Sequence, residues 1–383
     1  MREYEKLFER IDLSEDEYKT FWKELCLIES PTDCKEGVDA VGNYIIEKAM
    51  ARGWKIEKQE QKISGDCICI TMNPDAEGKS ICLSGHMDTV HPIGLFGDHP
   101  VKIDEDIIYG PGVSDCKGGI VAAFMAMAAL DDEGFSARPV KLILQSDEET
   151  SSDGSNKTTV QYMCECARDA VAFLNCEPYV MGTAVLKRKG IAKYTFKIKG
   201  KAEHAAYCYN GISAITEAAH KIIELEKYKD ENGITANCGK IYGGTKTNTV
   251  PEECVFKVDF RFSNSDELSE IKNIAQRVAD TSYIEGTTCE LILESFRDAM
   301  ELTDKNTALL EKANEIFAST GLVQLSPRST GGGSDAAYTT NCGIPTIDSI
   351  GVELGNIHSK NEYASVSSLK EAAKRIAAIC YYI

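Results

Sequence analysis

The stretch Lys79–Thr89, KSICLSGHMDT, decides the fold. Ile81, Cys82 and Leu83 run without alternation into the small Ser84-Gly85 step, and only then does the chain reach His86 and Asp88. A short apolar run with no period of two is the mark of a strand buried on both faces. Two later stretches repeat it: RPVKLILQSDEE (138–149) and DAVAFLNCEP (169–178) are each apolar until charge ends them. Between the first and second of these strands lies GGIVAAFMAMAAL (118–130), an apolar helix, and before them YKTFWKELCLIES (18–30) and EGVDAVGNYIIEKAMARGW (36–54) carry helical spacing, the latter stopping at Gly53. Buried strands alternating with helices predict an α/β fold with a mostly parallel sheet covered by helices.

Near Lys187 the pattern changes. RKGIAKYTFKIKGKAEHA (188–205) and CVFKVDFRF (254–262) alternate with period two, as half-exposed antiparallel strands do, and ISAITEAAHKIIELEKY (212–228) between them is an amphipathic helix. The α/β style returns with NTALLEKANEIFASTG (306–321), CGIPTIDSIGV (342–352) and SVSSLKEAAKRIAAICYYI (365–383). The expected organisation is a large α/β domain, residues 1–186 and 297–383, interrupted by a smaller α+β, ferredoxin-like domain at 187–296.

The 383 residues suit two domains, and 43% apolar with 27% charged residues is a globular composition. A formal charge of −18 excludes nucleic acid and anionic membrane surfaces as natural partners and makes any cluster of arginines informative. The charged start, MREYEKLFERIDLSEDEYKTFW, has no signal-peptide core, and no run approaches the ~18 apolar residues of a spanning helix, so a cytoplasmic protein is expected. The 15 cysteines sit mostly in apolar runs such as CICI, where reduced thiols act as small hydrophobes.

In open parallel sheets ligands gather beyond the carboxyl ends of the strands. That is where the polar residues fall: His86 and Asp88, Glu148 and Glu149, and Glu177 each end a strand, Asp115 in GPGVSDCKGG opens a helix, and His358 follows the last strand. Taken singly, each is equally well a solvated loop charge or a helix cap. Several carboxylates side by side raise one another's pKa unless cations separate them. Two divalent ions sharing one carboxylate would do so, and would make a shared water nucleophilic near neutral pH. One carboxylate must then stay unligated to move protons, a division that the neighbours Glu148 and Glu149 can supply.

Eight segments together carry a resemblance: LSGHMDTV, YGPGVSDCKGG, SDEETSSDGS, NCEP, KAEHAAY, TNTVPEECVFKVDFRF, STGGGSDAAY and GNIHSKNEY. In this order, from residue 81 to about 363, they resemble the M20 family of dinuclear zinc peptidases and deacylases, closest to its glutamate carboxypeptidase branch. The resemblance implies two Zn2+ ions, with Co2+ or Mn2+ as alternatives. His86 and Glu177 would hold one, Glu149 and His358 the other, and Asp115 both. It implies Asp88 as orienting partner of His86, Glu148 as general base and acid in attack on an amide carbonyl, His204 as support for the oxyanion, and a cis peptide at Asp115-Cys116. Asn248, Arg261, Arg297 and the turn Gly331, Gly332, Gly333, Ser334 leading through Asp335 would bind substrate. In CVFKVDFRF, Arg261 shares a face with Lys257 and Asp259, away from the lid core, where a guanidinium grips a carboxylate in bidentate fashion. The implied activity is a carboxypeptidase or dipeptidase cleaving next to a free α-carboxylate, with C-terminal glutamate in view, or alternatively an N-acyl amino acid deacylase of acetylornithine or succinyl-diaminopimelate type. A non-catalytic binding protein on the same fold is the reading from another class. The resemblance further implies a homodimer formed through the lid. His91 and His99 have no counterpart among the ligands and read as loop histidines.

Overall fold

The computed structural model describes residues 2–383 and divides into two compact units. The first comprises the residues through Leu186 with Leu302–Ser329 and Ser334–Ile383; the second comprises Lys187–Glu301 and Thr330–Gly333. The first is built on an eight-stranded sheet in the order Lys55–Gln59, Cys67–Met72, Val140–Gln145, Ile81–His86, Ala172–Asn175, Thr346–Asp348, Thr183–Arg188, Ser326–Thr330. The four strands from Val140–Gln145 to Thr346–Asp348 pair in parallel, and antiparallel strands extend the sheet on either side.

The central strands are apolar throughout because both faces are covered. Along Cys67–Met72 the isoleucines at 68 and 70 join the larger core cluster, while Cys67 and Cys69 join a second cluster with Ile143, Phe173, Val160 and Met163. Successive side chains of a strand point to opposite faces, so the CICI run fills two cores at once. The helix Lys117–Asp132 lies on one face, buried from Lys117 to Leu130 and packed against Ser367–Tyr382 and Glu15–Leu27. Thr158–Cys166 covers the other face. Burying each large side chain contributes roughly 1.5–3 kcal/mol. The glycines of DCKGG allow the approach of helix to strand: a Cβ on Gly119 would stand 1.9 Å from the Cys176 carbonyl oxygen, and one on Gly118 2.3 Å from that of Val113.

The second unit is a four-stranded antiparallel sheet in the order Thr235–Gly243, Glu253–Phe262, Gly190–Lys199, Thr288–Arg297, with the helices Ala214–Leu225 and Ser265–Asp280 packed on it. Glu253–Phe262 alternates strictly: Cys254, Phe256, Val258, Phe260 and Phe262 are buried, and the residues between them are not. Phe196 and Phe256 stack with ring centroids 4.6 Å apart. All fifteen cysteines are free thiols, and among the described residues no helix is long and apolar enough to cross a membrane.

Candidate metal centre

The parallel core of the sheet delivers its strand ends to one place. His86 is the last residue of Ile81–His86; Glu148 and Glu149 form a single 3-10 turn three residues beyond Val140–Gln145; Glu177 follows Ala172–Asn175 by two residues. Asp115 lies just before the helix Lys117–Asp132, and His358 lies in the loop between Thr346–Asp348 and Tyr363–Ser365. His86, Asp115, Glu149, Glu177 and His358, far apart in sequence, meet at close range. His86 Nε2 is 3.0 Å from Asp115 Oδ1 and 3.7 Å from Glu177 Oε1. His358 Nε2 is 3.3 Å from Asp115 Oδ2 and 3.2 Å from Glu149 Oε2. Each Asp115 oxygen thus faces a different histidine, and each histidine also faces a second carboxylate. The Asp115-Cys116 peptide is cis.

The electrostatics show what such a cluster demands. Burial, then the charge of Asp115, pushes the Glu149 carboxyl up to about 8. The hydrogen bonds that His358 donates to the Asp115 and Glu149 carboxylates raise its pKa to about 11. Burial disfavours charge on His86, but Cys116, Asp115 and Asp88 around it carry its pKa well above the ordinary value. The site therefore calls for positive charge, and its imidazole and carboxylate donors are those that divalent metals take. Ligand atoms of His86, Asp115 and Glu149 all lie within 4.8 Å of one another, as do those of His86, Cys116 and Glu177. The Cys116 thiol donates to the Cys176 carbonyl at 3.1 Å.

Asp88 does more than orient a histidine. Its main-chain carbonyl, at 2.9 Å, is the nearer partner of His86 Nδ1, with the carboxylate at 3.4 Å. The fully buried carboxylate accepts the main-chain N–H groups of Glu148 and Glu149, both at 3.2 Å, and the Thr32 hydroxyl at 2.7 Å. One aspartate thereby holds the His86 strand end and the Glu148-Glu149 turn in register. Asp147, also buried, accepts from Ser155 N and Thr159 Oγ1 at 2.8 Å each and closes the loop that follows.

His91 lies in a loop, as expected, but is 95% buried there, with Nε2 2.6 Å from Glu362 Oε2. Glu362 is itself 1% exposed and accepts the N–H groups of Ser114 and Asp115 at 2.9 and 3.0 Å and that of Gly112 at 3.3 Å. It therefore fixes the main chain that carries Asp115. Its only sequence signal is its place four residues after His358 in GNIHSKNEY. Replacing it with alanine would leave a buried histidine and several N–H donors without an acceptor, and is expected to destabilise the protein by about 2–4 kcal/mol in thermal or denaturant unfolding. A loss below about 0.5 kcal/mol, the range of ordinary surface substitutions, would contradict that role.

The remaining expected site residues lie in the smaller unit, except Ser334. His204 is exposed at the end of the short strand Glu203–His204, paired with Thr249–Val250. Its Nδ1 accepts from Ala206 N at 3.2 Å, so the neutral ring carries its hydrogen on Nε2. Asn248, also exposed, accepts from Ala205 N at 2.9 Å through its main-chain carbonyl. Arg261 points off the lid core as its strand position predicts, and the carboxylate that it grips is Asp259, at 2.6 and 3.1 Å. Its Nη1 also donates to the Gly331 carbonyl at 3.3 Å. Arg297 is buried against Gly333, and Arg188, which the sequence did not single out, donates to the Gly332 and Gly333 carbonyls at 3.3 Å each. In the larger unit, the buried Ser334 hydroxyl accepts from Asn175 Nδ2 at 2.9 Å and from Ala336 N at 3.2 Å, ahead of the short helix Ala336–Asn341.

Comparison with known proteins agrees with this geometry. The family described as Peptidase family M20/M25/M40 matches residues 82–382. Carboxypeptidase G2 of Pseudomonas sp. (strain RS-16) is 27% identical, over 91% of this chain and 84% of its own length. Succinyl-diaminopimelate desuccinylase of Rickettsia bellii is 26% identical, over 92% of this chain and 93% of its own. Among solved structures, a tripeptidase from Staphylococcus aureus superposes with a TM-score of 0.81 at 25% identity, covering 96% of this chain and 98% of that one. With most of its length matched, from the Cys82 strand to the last helix, the chain belongs to peptidase family M20/M25/M40 and is a metal-dependent hydrolase.

Proposed function

We propose that this hydrolase uses two metal ions to cleave an amide next to a free α-carboxylate, as a carboxypeptidase or dipeptidase, with C-terminal glutamate among its substrates. The observation that carries the proposal is the division of Asp115, one oxygen toward His86 and the other toward His358. His86 and Glu177 would hold one ion, Glu149 and His358 the other, and Asp115 both; zinc suits these donors, with Co2+ and Mn2+ as alternatives. When bound, such ions lower the pKa of water and polarise a carbonyl oxygen.

The chain's own groups do the rest. Glu148, buried and fixed through its main chain by Asp88, takes the proton of the attacking water and returns it to the leaving amine. His204 presents Nε2–H to the oxyanion. The turn Gly331–Ser334, with Asn248, Arg261 and Arg297, receives the substrate carboxylate; Arg261 is preset for this by Asp259, which holds the guanidinium in one orientation. A second reading, deacylation of an N-acyl amino acid, is favoured by the near full-length match to a desuccinylase. Metal analysis of the purified protein, with kcat/KM for C-terminal-glutamate dipeptides against N-acetyl and N-succinyl amino acids, separates the two. Two bound ions and preference for the dipeptides are expected; no turnover of any of these with Zn2+, Co2+ or Mn2+ supplied would overturn both.

The proposal includes a homodimer formed through the smaller unit and a cytoplasmic location, the latter supported by fifteen free thiols. Strand Thr235–Gly243 is a sheet edge that leaves Ile241 and Tyr242 half or more exposed, and Ile215 and Ile223 project from the neighbouring helix Ala214–Leu225. An exposed apolar edge of this kind invites pairing with another edge. Sedimentation is expected to show a dimer that Ile241→Asp converts to monomer; a monomeric parent protein would remove the idea.

A further inference from the structure

A cavity of about 580 Å3 opens beside the metal centre, entirely within the larger unit, with Glu149 and Thr150 in its wall. That volume fits one amino-acid residue with room for a large side chain. Its two walls are bound to each other: Thr89 N donates to the Ser30 carbonyl at 2.9 Å and Thr32 N to the Thr89 carbonyl at 3.2 Å, a parallel bridge that preforms the cavity. Pro31, Val90, Pro92 and Ile93 make the lining apolar, and Val90 and Ile93 remain 40% and 63% exposed.

The charge of the lining narrows the occupant. It contains no lysine, arginine or histidine, while the exposed Asp33 adds a carboxylate. An acyl group with its own carboxylate would meet Asp33 with no basic side chain in the lining to receive it, whereas an α-ammonium group would find a partner. We propose that this cavity is the subsite for the acyl half of the substrate, and that it selects an apolar residue with a free α-ammonium over a carboxylated acyl group. The inference rests on the amide-hydrolase reading above and sharpens it toward unblocked small peptides.

The test is a matched series, phenylalanyl-, glycyl- and succinyl-glutamate. Each is measured for kcat/KM with the metal-loaded enzyme and for calorimetric binding to its Glu148→Ala variant, which reports the cavity without turnover. Phenylalanyl-glutamate is expected to exceed glycyl-glutamate roughly tenfold or more in both readouts, the size of an apolar-pocket effect. Succinyl-glutamate should trail both. Ile93→Asp should erase the phenylalanyl preference, and Asp33→Lys should raise the succinyl-to-phenylalanyl ratio about tenfold, the effect of reversing one nearby charge. Equal binding of the three, no binding of any, or a preference unmoved by Ile93→Asp would overturn the assignment. If none is hydrolysed but the binding preference and its loss in Ile93→Asp hold, the cavity stands and the hydrolytic reading falls.

Discussion

Glu148→Ala protein is expected to keep the metal content of the parent enzyme and to lose roughly 10²- to 10⁴-fold in kcat, the usual contribution of a positioned general base. The two carboxylates of the Glu148-Glu149 turn have separate surroundings. The Glu149 carboxylate lies 3.2 Å from His358 Nε2, and the proposed ligand set is His86, Asp115, Glu149, Glu177 and His358, with Glu148 as the base beside it. Truncation at 148 leaves the ligand set whole. It also leaves the turn in place, because Asp88 holds that turn through the main-chain N–H groups of 148 and 149, which alanine retains. The variant therefore isolates proton transfer from folding and from metal binding. Metal analysis and steady-state kinetics on one preparation decide the matter. Near-normal kcat would remove Glu148 from the proton path, and loss of metal would make it a ligand instead.

How far the sequence reveals this protein depends on whether a feature is set locally. Ile81–His86, Val140–Gln145 and Ala172–Asn175 are legible as strands because burial on both faces leaves them apolar throughout. Glu253–Phe262 is legible because burial on one face imposes strict alternation. Thr235–Gly243 is not, since an edge strand exposed along most of its length carries neither pattern. The site divides in the same way. Strand ends give His86, Glu148, Glu149 and Glu177 as candidates, because a parallel sheet sends its carboxyl ends to one edge. Glu362 and His91 stay hidden: they are 271 residues apart, and a buried pair made by chain folding leaves no spacing to read. Asp88 is visible as a neighbour of His86, but its grip on the 148–149 turn spans about sixty residues and appears only in three dimensions.

The second large effect is expected at Asp115. Asp115→Ala should abolish binding of both ions together and lower kcat by at least about three orders of magnitude, since both the nucleophile and the polarised carbonyl depend on the metals. Its neighbours should behave differently: Glu177→Ala is expected to weaken only the ion on the His86 side, and His358→Ala only the other. The distinction follows from the contacts, because Asp115 reaches both histidines, at 3.0 and 3.3 Å, while Glu177 pairs with His86 and Glu149 with His358. Stability provides a readout that needs no substrate. Ions that bind only the folded chain stabilise it by about 2.7 kcal/mol at a hundredfold excess over Kd, so the parent protein should melt at higher temperature as Zn2+ is added. Asp115→Ala protein should show no such rise. The main chain at 115 should keep its place in the variant, because Glu362 binds it through N–H groups that the substitution does not touch. An Asp115→Ala protein that still bound two ions would refute the shared-carboxylate arrangement, and one that kept a single ion with a normal metal-induced rise in melting temperature would make Asp115 a ligand of one subsite only.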